Sequence, residues 1–298
     1  MAPLTAAVPA GGGGGAPGSG LQRGIAVPCF GDDPMELVRL GIAAEAAGFD
    51  GFFLWDHIVF SNTGEGPPIV DPWLVLAVVA ASTSRIRIGT MITPVPRRRP
   101  WQLAKETTTL DRLSQGRLIL GVGIGSPAYG DFGILGEPSG ERERAELLDE
   151  GLAVMAGLWS GEKFSYSGKH FKLDPVRFSP PPVQRPRIPV WVGGVLPNRR
   201  PVERALRWDG MVPIRYRDRR LATPSAQDMA DIGAAAAAAR GSADGFDLVV
   251  WTEVAEDPSA VAERAAPYVA AGATWWIETA RPEPGWWEGA QARVAAGV

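Results

Sequence analysis

TSRIRIGTMITPVPRRRPWQLAKETTTLDRLSQGRLILGVGIG, residues 83–125, holds the pattern on which the fold turns. An apolar run at 86–92 (IRIGTMI) leads into a proline-punctuated loop, a helical pattern opens near Pro100, and a second run follows at 117–123 (RLILGVG). Two nearly continuous apolar runs joined through a helix read as a parallel βαβ unit, whose strands are covered on both faces. The alternation continues in both directions. Further strands are expected at 23–29 (RGIAVPC), 51–55 (GFFLW), 189–193 (PVWVG), 209–214 (DGMVPI), 246–252 (FDLVVWT) and 274–278 (TWWIE), which makes eight.

Between the runs lie apolar residues at helical spacing, such as Leu147, Leu148, Leu152, Met155 and Leu158. Pro34, Pro72, Pro100, Pro224 and Pro258 stand at or near helix starts, where a missing N–H costs nothing, and Asp33, Asp71 and Asp257 precede three of them as N-caps. AAGFDGFFLWD, ALRWDGMVPI and AAGATWWIE each run from a helix end into a strand, with Gly48 and Gly272 at left-handed caps. Eight such units predict an α/β fold, a (β/α)8 TIM barrel over residues 21–298 as one domain. Residues 161–188 break the alternation after the fourth helix: GEKFSYSGKHFKLD reads as a hairpin turning at Ser167-Gly168, and SPPPVQRPRIP as an extended connection. An insertion of that length reads as a functional loop or a cover over one end.

Residues 1–20, with five consecutive glycines and no basic start, read as a flexible tail rather than a secretory signal. They hold seven of the 37 glycines. The 298 residues carry 30 basic and 33 acidic side chains, a net charge of −3, without the basic excess of a nucleic-acid binder. No apolar stretch reaches the roughly 18 residues a membrane span needs. One cysteine and two histidines form neither a disulfide nor a zinc cluster, so no metal is expected and a reducing, cytoplasmic setting fits.

Chemistry in a barrel of this kind sits where the strands end at their C-termini. Those positions hold Cys29 and Phe30, Trp55-Asp56-His57, Thr93-Pro94 with Arg97-Arg98-Arg99, Gly123-Ile124-Gly125-Ser126, Gly193-Gly194, Glu253 and Glu278. His57 is suited to acid, base or donor work near neutral pH, with Asp56 beside it to bias its tautomer if the chain turns enough. The position equally suits a solvated or structural histidine. Gly193-Gly194, before a helix expected from about Pro201, offers N–H groups for a phosphate or a plain turn. Gly123 and Gly125 suit close approach of a flat ring to the backbone. The arginine run suits an anionic ligand or ordinary solvation. Cys29 reads as a small buried hydrophobe and His170 as exposed.

Three stretches together, AAEAAGFDGFFLWDHIVF (43–60), residues 83–125 and RPRIPVWVGG (185–194), resemble the luciferase-like monooxygenase superfamily of flavin- and deazaflavin-dependent oxidoreductases. The resemblance covers about residues 21 to 280. It implies a dimeric barrel with a flavin-type ring across its mouth and the ring's phosphate near Gly193 and Gly194. His57 matches a catalytic or cofactor-contacting position, and Thr90-Met91 or Met91-Ile92 the place of a non-proline cis peptide beside the ring. The implied cofactor is reduced FMN, supplied by a separate flavin reductase and used with oxygen, or the deazaflavin coenzyme F420, which transfers hydride and whose acidic tail would suit Arg97 to Arg99 or Arg215. Relatives that oxidise glucose 6-phosphate carry a tryptophan where this chain has Ser61 and a carboxylate where it has Ser126, which argues against that substrate. The apolar entry loops suggest a hydrophobic or aromatic small molecule instead. Two other classes compete: a barrel that binds a flavin without catalysis, and a hydrolase built on Glu253 and Glu278. The crowding of Trp275, Trp276, Trp286 and Trp287 reads as packing of a final helix or a dimer contact.

Overall fold

The computed structural model describes residues 20–217, 220–255 and 257–298, so the expected tail lies, except for Gly20, outside them. Eleven strands are formed among these residues: β1 (Gln22–Val27), β2 (Gly51–Leu54), β3 (Arg87–Pro94), β4 (Leu118–Gly123), β5 (Lys163–Ser167), β6 (Lys172–Arg177), β7 (Val190–Val195), β8 (Gly210–Arg217), β9 (Arg220–Ala222), β10 (Asp247–Glu253) and β11 (Trp275–Thr279). The helices are α1 (Pro34–Ala46), α2 (Pro72–Ser82), α3 (Pro100–Leu113), α4 (Glu141–Trp159), α5 (Arg199–Ala205), α6 (Ala226–Arg240), α7 (Val261–Ala270) and α8 (Trp286–Ala296). Eight strands run parallel in the order β1-β2-β3-β4-β7-β8-β10-β11, and the β1–β11 pairing (Ile25 opposite Glu278) closes the ring. This is the expected TIM barrel, with each strand within three residues of its expected ends.

The caps also form as expected. Asp33 accepts from the Met35 N–H and Asp71 from the Leu74 N–H, with Pro34 and Pro72 at the first helical positions. Gly48 (φ +95°) and Gly272 (φ +92°) follow α1 and α7 in left-handed geometry that a Cβ would strain.

Inside the barrel, Phe53, Met91, Ile119, Trp191, Val249, Trp275 and Ile277 form one closed cluster. Trp191 packs on Trp275 (5.2 Å between ring centres) and Phe53 (5.5 Å), and its indole N–H donates to Asp247 at 2.9 Å. Burying each such ring contributes about 2–3 kcal/mol, so the lower barrel is a solid core rather than a pore. Trp275 and Trp276 lie on strand β11, as the expected strand 274–278 has them, and Trp286 and Trp287 stand on α8.

The insertion forms the expected hairpin, β5 pairing antiparallel with β6. Glu150 of α4 accepts the N–H groups of Lys169, His170 and Phe171, which fastens the hairpin tip to the outside of the helical layer. His170 is half-buried there, 3.1 Å from Glu146, rather than exposed. The following strap passes under the opposite end of the barrel, where Gln184 bonds Asp111 and the carbonyl of Leu118 at the start of β4. The insertion thus leaves the C-terminal mouth open. No helix among the described residues is long and apolar enough to cross a membrane.

Candidate active site

At the mouth, the loop after β2 is knitted to the loop after β4. Phe60 and Gly130 form an antiparallel bridge, and the Ser61 N–H donates to Tyr129 O at 2.9 Å. Gly130 sits at φ +86°, and a Cβ there would lie 2.0 Å from the Ser61 carbonyl oxygen, so only glycine permits the approach. The next residue, Asp131, is thereby placed under His57. Its Oδ2 lies 2.6 Å from His57 Nδ1, while its Oδ1 accepts the N–H groups of Ile58 (2.8 Å) and Val59 (2.9 Å). Burial would raise the Asp131 carboxyl, but the bonds from His57 and Val59 and the charge of Arg97 outweigh it and hold the group below the usual carboxylate range.

Asp56 does not reach His57, which corrects the expectation that these neighbours act as a pair. The Asp56 side chain is fully buried and faces the opposite way. Arg97 Nη2 (2.6 Å), Arg98 Nη2 (2.9 Å), the Thr93 hydroxyl (2.8 Å) and the Trp73 indole (3.1 Å) all donate to it. Burial opposes ionisation, yet Arg98 and Arg97 keep its carboxyl below the ordinary range. Arg97 also meets Asp131 at 2.7 Å, and Arg98 approaches Glu106 at 3.6 Å. Charges of alternating sign therefore run from Asp131, beside His57, through Arg97, Asp56 and Arg98 to Glu106. Arg97 and Arg98 are committed to this line and not free for an acidic ligand. Arg215 is equally engaged, in a two-point pair with Asp228.

One half of the mouth is low and apolar. Strand β3 slips register against β4 between Thr90 and Thr93, and the Met91–Ile92 peptide is cis, the second of the two places expected. Thr90 is fully buried, 2.8 Å from the Thr93 hydroxyl, and Met91 points into the closed core, so neither side chain is open to a ligand. Ile92 alone of the three is half-buried, and it lies across β4 and β7. A Cβ on Gly193 would sit 2.1 Å from Ile92 Cδ1, and one on Gly194 2.2 Å from Pro201 Cβ. Both glycines lie inside β7, opposite Val212 and Pro213, rather than at a turn before a helix. Their lack of a side chain makes room for Ile92 and Pro201. Gly125 (φ +72°) likewise makes room for Phe132 and Pro94, whereas a Cβ on Gly123 would meet only ordinary contacts, at 3.5 Å and beyond. Gly123 is itself buried within β4, with Ile92 as its nearest neighbour.

The other half is aromatic. Phe60 stacks on Tyr129 (4.5 Å, 10°), and both stand edge-on to His57 at 5.0 and 5.6 Å. Trp55 lies 6.1 Å from His57 and 6.2 Å from Trp251. Trp55 donates to Thr279, but the buried indole nitrogen of Trp251 has no acceptor. His57 itself keeps 18% of its side chain exposed, facing this space.

The remaining expected residues serve structure. Burial pushes the Cys29 thiol up to about 12, as suits a small core side chain. Glu278 is fully buried against Arg293 and Arg23, and Glu253 pairs with Arg281, so the two carboxylates do not form a hydrolytic pair. Asp131 and Tyr129 escaped the sequence reading; the Gly130-Asp131 step after the fourth strand is the signal that marks them.

The model of the luciferase-like monooxygenase family matches residues 7–297. The F420-dependent glucose-6-phosphate dehydrogenase of Microbacterium testaceum (strain StLB037) is 33% identical over 162 residues, 54% of this chain and 47% of that protein. The F420-dependent hydroxymycolic acid dehydrogenase of Mycobacterium tuberculosis (strain ATCC 25618 / H37Rv) is 34% identical over 167 residues, 53% of this chain and 44% of its own length. The chain thus spans about half the length of the curated relatives it matches. The coenzyme F420 dependent tetrahydromethanopterin reductase of Methanopyrus kandleri superposes with a TM-score of 0.70 at 19% identity, over 93% of this chain and 97% of that one, which shows the shared barrel. With a family model that spans nearly its whole length and the barrel that the three matching stretches imply, this chain belongs to the luciferase-like monooxygenase family.

Proposed function

We propose that this protein transfers hydride between the deazaflavin coenzyme F420 and a carbinol or carbonyl carbon of a small organic molecule, with His57 moving the accompanying proton. The His57–Asp131 pair, open on one side to an aromatic wall and facing an apolar floor, carries this reading. Half-buried Ile92, beside Gly123, offers an apolar side chain to the face of such a ring, and the unpartnered Trp251 indole offers a donor to a carbonyl or hydroxyl oxygen. Arg199 and Arg200, exposed at the start of α5 just past β7, suit the acidic tail that Arg97, Arg98 and Arg215 cannot take. The ring, when bound, accepts or returns the hydride.

Every other contribution comes from the chain. With the Asp131 carboxylate accepting at Nδ1, the neutral imidazole carries its proton there and presents Nε2 to the substrate oxygen. As Nε2 takes the hydroxyl proton, the fixed carboxylate offsets the charge that forms on the ring. Phe60, Tyr129 and Trp55 keep water from that oxygen. Anaerobic titration with F420 and FMN, each oxidised and reduced, tests the reading: F420 is expected to bind at least tenfold more tightly. Preference for FMN would replace hydride transfer with oxygen insertion fed by a flavin reductase, and binding of neither would leave a barrel without this chemistry.

We also infer a homodimer formed through α2. Its sequence, PWLVLAVVAAS, carries no charge on any face, and Leu74 and Val78 remain 71% and 41% exposed. Light scattering should give twice the 31.7 kDa chain mass, and Leu74→Lys should return it to one chain. A monomeric wild type would sink this inference.

A further inference from the structure

Beside the His57 site lies a groove of about 470 Å³ that hydride transfer does not itself require. Phe30 and Phe60 form one wall (4.9 Å, 58°), Trp286 and Trp287 the other (5.5 Å, 70°), and Phe30 meets Trp286 edge-on at 6.3 Å. Pro67, Pro68 and Pro282 close its ends, and Glu36 is the one ionisable side chain in its lining. Phe60 lines this groove and also stands 5.0 Å from the imidazole, so one ring borders both places.

The charge around this groove has one sign. The segments that line it, residues 28–39, 58–70 and 281–288, contain six carboxylates and two arginines. Both arginines are taken, Arg39 by Asp33 and Arg281 by Glu253. Asp32, Glu36, Glu65, Glu283 and Glu288 are exposed and lie in none of the ion pairs formed among the described residues. Each surface carboxylate is screened and weak alone, but several around an opening set its potential. Aromatic rings set at steep angles around a groove, with a carboxylate in its lining, form an environment that recognises an ammonium group.

We propose that this groove is a specificity subsite for an organic cation. It holds the ammonium-bearing apolar end of the substrate while the reacting carbon reaches His57. The assignment rests on the hydride-transfer reading for its place in the reaction, but the binding it predicts needs no cofactor. An anionic substrate such as a sugar phosphate is disfavoured, since no cation faces the groove to receive it.

Calorimetric titration of the full chain at low salt and about pH 7 tests this with three probes of one shape: 2-naphthylmethylammonium, 2-naphthylmethanol and 2-naphthoate. The ammonium is expected to bind at least tenfold more tightly than the carboxylate, with the alcohol between them. Glu36→Lys, a change at an exposed position, should bring the ammonium below the alcohol. Trp286→Ala should weaken ammonium and alcohol alike by about tenfold. Equal binding of ammonium and carboxylate, no measurable ammonium binding, or a preference indifferent to Glu36→Lys would each overturn the proposal. Titration of the same samples with F420 separates the two readings. Loss of the cation preference with F420 still bound removes only the groove, and cation binding without F420 removes only hydride transfer.

Discussion

Asp56→Asn is expected to lower the stability of the folded chain by about 3–5 kcal/mol, the cost of breaking a buried ion pair from one side. At the scale of a domain this size that is a fall in Tm of about 5–8 °C. The change preserves shape and volume, so the loss measures charge. An amide offers one carbonyl oxygen where the carboxylate accepts from Arg97, Arg98, Thr93 and Trp73, and its NH2 faces guanidinium donors. The Arg97 side chain is 1% exposed and cannot turn to water. It keeps only Asp131 as a counter-charge, so the disturbance reaches the carboxylate that holds His57. Acid should act on the same network. The folded-state carboxyls of Asp56 and Asp131 are both held below their ordinary range, so their contribution is complete above that range and disappears as pH falls through the lowered values. Thermal and urea unfolding at neutral pH check the substitution; a loss below about 1 kcal/mol would show that solvent reaches the cluster.

The barrel was legible because burial on both faces leaves a mark that needs no partner strand to read. Runs such as 117–123 are apolar in every register, so β4 appears at its expected place within one residue. Strand ends were less legible, since they depend on the neighbour. Gly193-Gly194 looks like the end of an apolar run, yet pairing with β8 carries β7 through both glycines to Val195. The late part of β8 folds back on β9, a pairing with no signal in the alternation. The site was legible at His57 and misread at its partner. Adjacency suggested Asp56, but successive side chains leave an extended chain on opposite sides, and Asp56 went to Arg97 and Arg98 in the connection after β3. The true partner lies 74 residues away and meets His57 only because Phe60 and Gly130 bridge two loops. Arg97 and Arg98 misled for the same reason, whereas Arg99 is exposed and lies in none of the ion pairs among the described residues. The run 97–99 reads as a solvated or anion-binding patch until two buried carboxylates, from different loops, are seen to meet Arg97.

His57→Asn is expected to cut turnover on the order of 10²-fold or more while F420 affinity stays within a few-fold, because the amide can fill the space but cannot carry a proton between Nε2 and solvent. Stopped-flow measurement of the F420 absorbance change with an accepted alcohol reads the first quantity, and equilibrium titration reads the second. Asp131→Asn should fall almost as far in kcat with little change in KM. Its amide would donate to Nδ1 where the carboxylate accepts, so the imidazole proton moves to Nε2 and the ring presents a donor to a hydroxyl that needs an acceptor. Asp131→Glu keeps the accepting oxygens and should recover part of the rate, which a merely structural role for the residue would not produce. If the two residues act as one unit, the double variant will be no slower than His57→Asn alone, since removing the base leaves nothing for Asp131 to orient. Additive losses would mean that Asp131 serves catalysis by another route, through Arg97 or the Ile58 and Val59 amides, and an unchanged rate in His57→Asn would take the proton transfer away from this histidine altogether.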